Sequence, residues 1–405
     1  MGISALFNDA IVSDVHYRMS LAAVRSLGRR GIPVTALEYE NIDLSQALGF
    51  YSRYTGQKAV IPHPRDPQAF IGGLRQMAGR FDNKPVLIAA GLDSVMAMSS
   101  LQGELEEVFH LLVPPYESLL LANDTGRLLE VAGRAGVPGP DTTTLGEGED
   151  IEELSQRLDY PVVIKYREGE LLQLGPEQRY RIINNARDFV TAYSYMHEKQ
   201  SCPLVQGYVS GGGYGVSAVF DRNSQPVEIF CHHRIREYPV SGGPSCLCEA
   251  LWDDRMVGYA VSLLKELKWQ GVAMVEFKGD PNGDVRLMEI NPRFWGSLPL
   301  PIIAGCDIPC AIYDTARGVR HSDYSGTVNW TPDRYRMGTR MRFIFQDLMS
   351  FPGYLKARSD KAAFAGEFTR DLFSLSIRDG VWDWQDLRPS LRYLSQSVGK
   401  FFSGH

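Results

Sequence analysis

Three oxygen-bearing side chains lie near one another in the second half of the chain, at Glu276, Glu289 and Asn291. They fall in two strand-like runs, residues 272–278 and 285–290, which are separated by a turn at 280–283. Two carboxylates and an amide are costly beside apolar neighbours unless a counter-charge accompanies them. Magnesium prefers oxygen ligands and takes one or two carboxylates together with nucleotide phosphates. The residues therefore predict a magnesium site, and the alternative is a solvent-facing pair of glutamates on an ordinary hairpin.

The register of this hairpin decides whether the three side chains meet. Pairing of Gly279 with Asp284 would place Glu276 opposite Leu287. Because side chains alternate across a strand, one face would then carry Glu276, Leu287, Glu289 and Asn291. The two glutamates would lie on a diagonal, roughly 6–8 Å apart at the backbone. One cation or a pair of cations can bridge side chains at that separation.

The sequence around these residues resembles the ATP-grasp superfamily. The resemblance is carried by MVEF at 274–277 and by LMEINPRFWGS at 287–297. It implies that Glu276, Glu289 and Asn291 hold the Mg²⁺ ions that accompany ATP, with Mn²⁺ as an acceptable substitute. It also implies that Arg293 faces the transferred phosphoryl group or the substrate carboxylate.

Upstream segments resemble the same superfamily in the same order. YPVVIKYREGE, starting at residue 160, resembles a strand whose lysine contacts the nucleotide phosphates, which nominates Lys165. PLVQGYVSGGGYGVSAV, from residue 203, resembles the strand that binds adenine, and it nominates Gln206, Tyr208 and Val209. HHRIREYPVSGGPS, from residue 232, nominates two basic side chains near the phosphates or the acceptor, Arg234 and Arg236. The resemblance thus implies cofactor contacts from Lys165, Gln206, Tyr208, Val209 and Arg234, and catalytic roles for Lys165, Arg236 and Arg293.

The sequence departs from the superfamily pattern at three places. Thr125 stands where the entry helix often carries a lysine, and Gly207 stands where the adenine strand often carries a glutamate. The loop after Lys165 is charged, whereas many members have a glycine-rich lid. These departures concern nucleotide affinity and leave the predicted metal ligands intact.

The resemblance implies a carboxylate–amine ligase, of the kind related to carbamoyl-phosphate synthase and biotin carboxylase. A substrate carboxylate would attack the γ-phosphate of ATP, giving ADP and an acyl phosphate that an amine converts to an amide or peptide-like bond. Small-molecule carboxylates and amines are the expected substrates. The alternatives are a biotin-carboxylase-like enzyme, an acid–thiol ligase, and an ATP-binding module with weak turnover.

The elements that must position these residues predict an α/β and α+β protein of several domains. Strands and helices alternate over residues 1–115, which predicts a Rossmann-like, parallel pre-ATP-grasp domain. A two-lobed ATP-grasp domain is expected over 116–320, with a small lobe at about 116–200 and a large lobe at about 201–320. A C-terminal extension follows at 321–405. The first strand-to-helix turn, SDVHYRMS, contains no glycine, which argues against a nicotinamide-dinucleotide site.

Composition excludes several other classes of function. The 405 residues carry a formal net charge of −6, which disfavours a general nucleic-acid binder. Neither a signal peptide nor a membrane span is evident, and we expect a cytoplasmic protein. The six cysteines fit no common zinc spacing. Four arginines of the extension, Arg334, Arg336, Arg340 and Arg342, indicate a salt-bridged face, with a docking surface for a carrier protein as the alternative. A homodimer is a reasonable expectation.

Overall fold

The computed structural model describes residues 9–403 except for residues 147, 170, 171, 173, 175–177, 241, 280–282 and 320–330. Most of the predicted turn at 280–283 and part of the charged loop after Lys165 therefore lie outside the described residues. Within the described part of the chain, no helix has the length and apolar character needed to cross a membrane.

A parallel sheet and its helices form the N-terminal part. The strands are β1 (Ala10–Val12), β2 (Val34–Tyr39), β3 (Thr55–Ile61), β4 (Val86–Ile88) and β5 (His110–Leu111). The helices are α1 (Arg18–Arg29), α2 (Pro67–Ala78), α3 (Leu92–Ser100) and α4 (Gln102–Leu105). The sheet order is β3-β2-β1-β4-β5, so the order reverses between β1 and β4. Ligands of open α/β sheets bind in the crevice at the carboxyl ends of the strands at such a point.

A short helical hairpin leads into a second, smaller sheet. The hairpin comprises α5 (Tyr116–Asn123) and α6 (Thr125–Arg134), and the Asp124 carboxylate caps α6 by accepting from the main-chain N–H groups of residues 126 and 127. The next elements are β6 (Thr142–Thr143), α7 (Ile151–Gln156), β7 (Val162–Lys165), β8 (Tyr180–Ile183), α8 (Ala186–Lys199) and β9 (Leu204–Gly207). These strands pair antiparallel in the order β6-β9-β7-β8.

The third sheet is the largest and includes part of the C-terminal extension. Its first elements are β10 (Gly213–Phe220), β11 (Pro226–Glu237), β12 (Ser245–Leu251), α9 (Asp254–Glu266), β13 (Gly271–Gly279), β14 (Val285–Asn291), α10 (Pro299–Ala304) and α11 (Ile308–Ala316). The extension adds β15 (Arg340–Arg342), α12 (Ile344–Ala357), α13 (Lys361–Leu372), β16 (Arg378–Asp379) and α14 (Leu387–Ser403). The strand order is β14-β13-β10-β11-β12-β15-β16. The predicted fold class, a parallel α/β unit followed by a two-lobed antiparallel unit and an extension, is confirmed.

The C-terminal extension also packs against the N-terminal sheet. Arg25 of α1 donates from Nε to the Asp386 carboxylate at 2.9 Å and from a terminal nitrogen to the Val381 carbonyl at 2.7 Å. Two arginines of the extension make contacts within the fold: Arg340 lies 2.6 Å from the Glu249 carboxylate, and Arg342 donates to the main-chain carbonyls of residues 371 and 372.

Three hydrophobic cores hold these sheets together. Two of the cores each combine buried side chains of the N-terminal sheet with side chains of the large sheet, for example Ile11 with Val216, and Val12 with Phe230. The third core contains residues of the small lobe only, among them Ile164, Phe189 and Tyr193. The N-terminal sheet and the large sheet therefore share their interior, whereas the small lobe has its own.

Candidate active site

A cavity of about 1210 Å³ lies where the three sheets converge. Its lining includes nearly all of the predicted site residues: Lys165, Gln206, Tyr208, Val209, Arg234, Glu276, Glu289, Asn291 and Arg293. The side chains come from β7 and β9 of the small lobe, from β11, β13 and β14 of the large sheet, and from the loop after β14. The fold thus brings together side chains that are up to 128 residues apart in the sequence.

Glu276 and Glu289 face each other directly across β13 and β14, and Asn291 lies opposite Met274. The predicted register is wrong, because Gly279 pairs with Val285. The predicted diagonal arrangement of the two glutamates becomes a direct pair, which places their main chains closer together than a diagonal would.

A β-bulge explains the difference. The register shifts between Glu276 and Phe277, so Met288 is an extra residue on β14. Leu287 consequently pairs with Phe277 and is fully buried in the core. Unbroken alternation had predicted that Leu287 and Glu289 share a face, and in the structure they do not. The bulge turns Glu289 toward the cavity while keeping Leu287 in the interior.

Two neighbours hold the Glu276 carboxylate. The side-chain amide of Asn291 donates to its Oε1 at 2.8 Å, and the Arg234 guanidinium forms an ion pair with its Oε2. Burial raises the pKa of Glu276, as does the nearby charge of Glu289, and Arg234 opposes this rise. Because Asn291 donates with its nitrogen, its side-chain oxygen remains an acceptor for a cation.

Glu289 lies at the open side of the same pair, where 46% of its side chain is exposed. Lys165 Nζ approaches its carboxylate at 3.6 Å and the Met288 carbonyl at 3.4 Å. Burial in the cavity favours the neutral acid, but the charges of Lys165, Arg234, Arg179 and Arg293 outweigh it, so the pKa of Glu289 is lowered. Glu289 is therefore ionised at neutral pH.

The donor set fits a magnesium–phosphate complex. Two carboxylates and one amide oxygen are oxygen ligands, and hard cations such as Mg²⁺ complete such partial sets with phosphates and water. Within the described residues, no group of three or more His, Cys, Asp or Glu side chains forms a metal site by itself. Four cationic groups lower the pKa of Glu289, namely Lys165, Arg234, Arg179 and Arg293, and side chains of this kind also bind phosphate oxygens.

The strand proposed to bind adenine has a firmly held main chain. The Gly207 N–H donates to the Asp141 carbonyl at 2.8 Å, and the Tyr208 N–H donates to the Pro161 carbonyl at 3.2 Å. Gln206 is buried and donates to Thr142 at 3.2 Å. Lys278 Nζ lies 4.8 Å from the centroid of the Tyr208 ring. Together these residues form a fixed wall on the small-lobe side of the cavity.

An arginine lies beside the position where the entry helix lacks a lysine. The Thr125 N–H donates to the Arg167 carbonyl at 2.9 Å, and the Arg167 guanidinium is 3.4 Å from the Asp124 carboxylate. Both Thr125 and Arg167 line the cavity. Arg167 thus places a cationic side chain beside Thr125, and it comes from the turn that follows β7 and not from α6. Sequence reasoning missed Arg167 because the two segments are about 40 residues apart.

Arg236 does not line the cavity, in contrast to its predicted catalytic role. It is 2% exposed and donates to Asp347 at 2.7 and 3.0 Å and to Asp371 at 2.7 Å. Regular alternation would place Arg234 and Arg236 on the same face, but the register of β11 shifts on both sides of Arg236, and Ile235 is an extra residue between the two arginines. Arg234 turns to the cavity, while Arg236 turns to the C-terminal extension and joins β11 to α12 and α13.

A buried histidine supports the floor of the site and was missed from the sequence. His232 pairs with Gly215, and a Cβ at Gly215 would lie 2.4 Å from His232 Cε1. Burial lowers the pKa of His232 to about 3, with Arg234 contributing, so the ring is neutral. Its Nε2 contacts Ser297 Oγ at 3.3 Å. Glycine at position 215, opposite Glu276, is what leaves room for this ring.

The N-terminal sheet supplies a further wall that sequence reasoning missed. Asp14, His16 and Tyr39 line the cavity at the carboxyl ends of β1 and β2. The Asp14 carboxylate accepts from Ser94 Oγ at 2.8 and 2.9 Å and from the Gly91 N–H at 2.9 Å. The signal available in the sequence was the polar turn after β1, at a point where α/β sheets bind ligands.

Fold and site together define the ATP-grasp fold, and comparison with known proteins agrees. The family described as "ATP-grasp in the biosynthetic pathway with Ter operon" matches residues 229–333, which include β11, β13 and β14. No curated protein sequence matches the chain.

Solved structures show the same fold at low sequence identity. Biotin carboxylase from Campylobacter jejuni, in complex with an ATP analogue, is 17% identical with a TM-score of 0.62, covering 82% of this chain and 74% of its own. N5-carboxyaminoimidazole synthetase from Staphylococcus aureus is 16% identical with a TM-score of 0.62, covering 89% of both chains. L-amino acid ligase from Bacillus licheniformis is 14% identical with a TM-score of 0.56, covering 77% and 74%. The chain therefore has the ATP-grasp fold.

Proposed function

We propose that this protein is an ATP-dependent, ADP-forming ligase that activates a carboxylate as an acyl phosphate for attack by an amine. The observation that carries the proposal is the direct pairing of Glu276 with Glu289 in the cavity, where the charges of four cationic side chains lower the pKa of Glu289. The related folds support it, since they include an amino acid ligase and proteins in complex with ATP analogues or ADP. The domain division at about residues 115 and 320, a homodimer and a carrier-protein partner remain predictions.

The proposed chemistry relies on positioning and charge neutralisation. Glu276, Glu289 and the Asn291 side-chain oxygen would hold Mg²⁺, which neutralises phosphate charge during transfer when it is bound. Lys165 and Arg293 would offset the charge that develops on the transferred phosphoryl group, and Arg234 would do the same after exchanging Glu276 for a phosphate. The wall formed by residues 206–209 would bind the adenine. The cavity would bring the carboxylate to the γ-phosphate and exclude water from the acyl phosphate.

Product analysis is the direct test. Purified protein with ATP and Mg²⁺ is incubated with the amino acids and bicarbonate as carboxylates and with amino acids as amines. We expect release of ADP and phosphate that depends on both substrates. AMP and pyrophosphate as products, or ADP release that no substrate stimulates, would contradict the proposal.

A matched pair of variants ties turnover to the site. Glu289→Gln keeps the size of the side chain and removes the charge, so we expect ADP release to fall at least about 100-fold. The control is Glu266→Gln, because Glu266 is an exposed carboxylate paired with Arg134 at 3.3 Å on the surface. Equal turnover of Glu289→Gln and Glu266→Gln would exclude Glu289 as a ligand.

A further inference from the structure

A histidine of the N-terminal sheet faces the cavity and takes no part in the phosphoryl transfer proposed above. His16 lies in the turn between β1 and α1, and Glu38 lies on β2. Glu38 Oε2 accepts from the His16 main-chain N–H at 2.8 Å and contacts its Nδ1 at 2.9 Å. The Glu38 side chain is fully buried, whereas 21% of the His16 side chain is exposed and lines the cavity. A buried carboxylate thus holds the inner edge of an imidazole whose outer edge is open.

This contact determines which ring nitrogen can accept a proton. Because Nδ1 faces a carboxylate, it carries the proton of the neutral ring, and Nε2 is left as the base. The other Glu38 oxygen accepts from the Tyr39 N–H at 3.1 Å, so the carboxylate is held in place. A carboxylate in this position orients the imidazole and stabilises the imidazolium that forms when Nε2 takes up a proton.

The neighbouring titratable groups are less suited to this role. The Asp14 carboxylate is 4% exposed and already accepts from Ser94 and Gly91. His63 Nδ1 accepts from the Arg65 N–H at 3.2 Å, so Nε2 carries the proton of the neutral ring and the basic nitrogen is already engaged. His16 is the group in this wall whose geometry leaves a free basic nitrogen.

His16 and Arg293 line the same cavity, and a Cβ at Gly296 would lie 3.9 Å from a terminal nitrogen of Arg18, two residues after His16. Val15 and Met19, on either side of it in the sequence, belong to the same hydrophobic core as Phe294 and Trp295. Those two residues directly follow Arg293, the residue proposed to face the carboxylate. The core therefore ties the turn that carries His16 to the loop that carries Arg293.

We propose that His16, positioned by Glu38, is the general base of the second half-reaction. Its Nε2 takes the proton from the amine as the nitrogen attacks the acyl carbon. The N–C bond forms as the bond between the acyl carbon and the bridging oxygen breaks. Inorganic phosphate leaves with the electrons of the broken bond. The imidazolium then releases its proton to solvent. The inference rests on the proposed function, since it requires an acyl phosphate and an amine.

Hydroxylamine separates the two half-reactions. It is largely unprotonated at neutral pH and traps acyl phosphates as hydroxamates with little need for a base. The assay uses the carboxylate and amine that give the fastest ADP release in the panel above, with hydroxylamine replacing the amine in parallel reactions. For His16→Gln we expect hydroxamate formation within about twofold of wild type and amide formation lowered about 10²–10⁴-fold. Added imidazole should restore part of the amide formation, and Glu38→Gln should show an intermediate loss.

The control is His110→Gln, since His110 lies on β5 and is not among the residues that line the cavity. Unchanged amide formation by His16→Gln, or an equal loss of hydroxamate and amide, would overturn the role of His16. In both cases, hydroxamate formation by the wild-type protein would still support the proposed function. Wild-type protein that forms neither hydroxamate nor ADP with any carboxylate would overturn the proposed function and this inference with it.

Discussion

Replacing Arg236 with methionine should destabilise the protein strongly without acting on the cavity. The guanidinium is 2% exposed and makes hydrogen bonds of 2.7–3.0 Å to Asp347 and Asp371, whose side chains are 1% and 6% exposed. It also lies 4.8 Å from the centroid of the Phe368 ring. Methionine fills much of the same volume but leaves two carboxylates buried without their main counter-charge.

The expected loss is about 3–5 kcal/mol in the free energy of unfolding, the range for removal of one partner from a buried ion pair. Arg358 provides the control, because it makes a similar two-pronged contact to Asp360 at 2.7 and 2.8 Å on the surface. These side chains are 43% and 47% exposed, so solvent screens the pair and Arg358→Met should leave the free energy of unfolding nearly unchanged.

Urea unfolding of the full chain measures both variants, and hydrogen exchange of α12 and α13 shows where Arg236→Met loosens the structure. Adding Asp347→Leu to Arg236→Met should recover part of the loss, because one uncompensated charge is removed. Equal stability of Arg236→Met and Arg358→Met would refute the reasoning. A stable Arg236→Met protein that has lost ligase turnover would instead support the catalytic role predicted from the sequence.

Three further predictions concern the floor of the site and the thiols. Because the pKa of folded His232 is lowered to about 3 from its ordinary 6.5, the unfolded chain binds an extra proton as pH falls below 6.5. This group should thus remove about 2 kcal/mol of stability between pH 6.5 and 5, and urea titrations of His232→Gln should show a correspondingly flatter pH dependence. Gly215→Ala should destabilise by about 1–3 kcal/mol because its Cβ would meet His232, whereas Gly258→Ala on open helix surface should stabilise by about 0.4–1 kcal/mol; thermal unfolding with the opposite order would contradict the packing. Five of the six cysteines are buried, and burial raises the pKa of their thiols; Cys202 is the partly exposed sixth. A disulfide reagent should therefore label the native protein first at Cys202. Mass spectrometry that finds another cysteine labelled first would contradict this prediction.

Much of the secondary structure could be predicted from local patterns. The apolar runs at β1, β2 and β4, the helical spacing in α1 and α9, and the alternation in β13 each depend on residues that are close in sequence. The boundary between α5 and α6 is different, because it is set by the Asp124 carboxylate, which caps α6 directly after α5 ends at Asn123. This distinction depends on a side-chain contact that spacing alone does not reveal.

The site was predictable where chemistry and strand alternation coincide. Glu276, Glu289 and Asn291 share a face, but the bulge at Met288 that sets their pairing depends on how β14 fits the core around Leu287. Arg234 and Arg236 were indistinguishable in the sequence, because their different environments come from the cavity and from the C-terminal extension. His16 and Glu38 are 22 residues apart, and only the parallel pairing of β1 with β2 brings them together.

The arrangement of the three hydrophobic cores has a consequence for unfolding. Since two cores pass between the N-terminal sheet and the large sheet, neither sheet can lose its structure without exposing apolar side chains of the other. The Arg25–Asp386 contact adds the extension to the same cooperative block. The small lobe, with a core of its own, is the part that can open or melt separately. Denaturation should therefore proceed in two steps rather than sheet by sheet, and nucleotide bound between the two blocks would merge those steps into one.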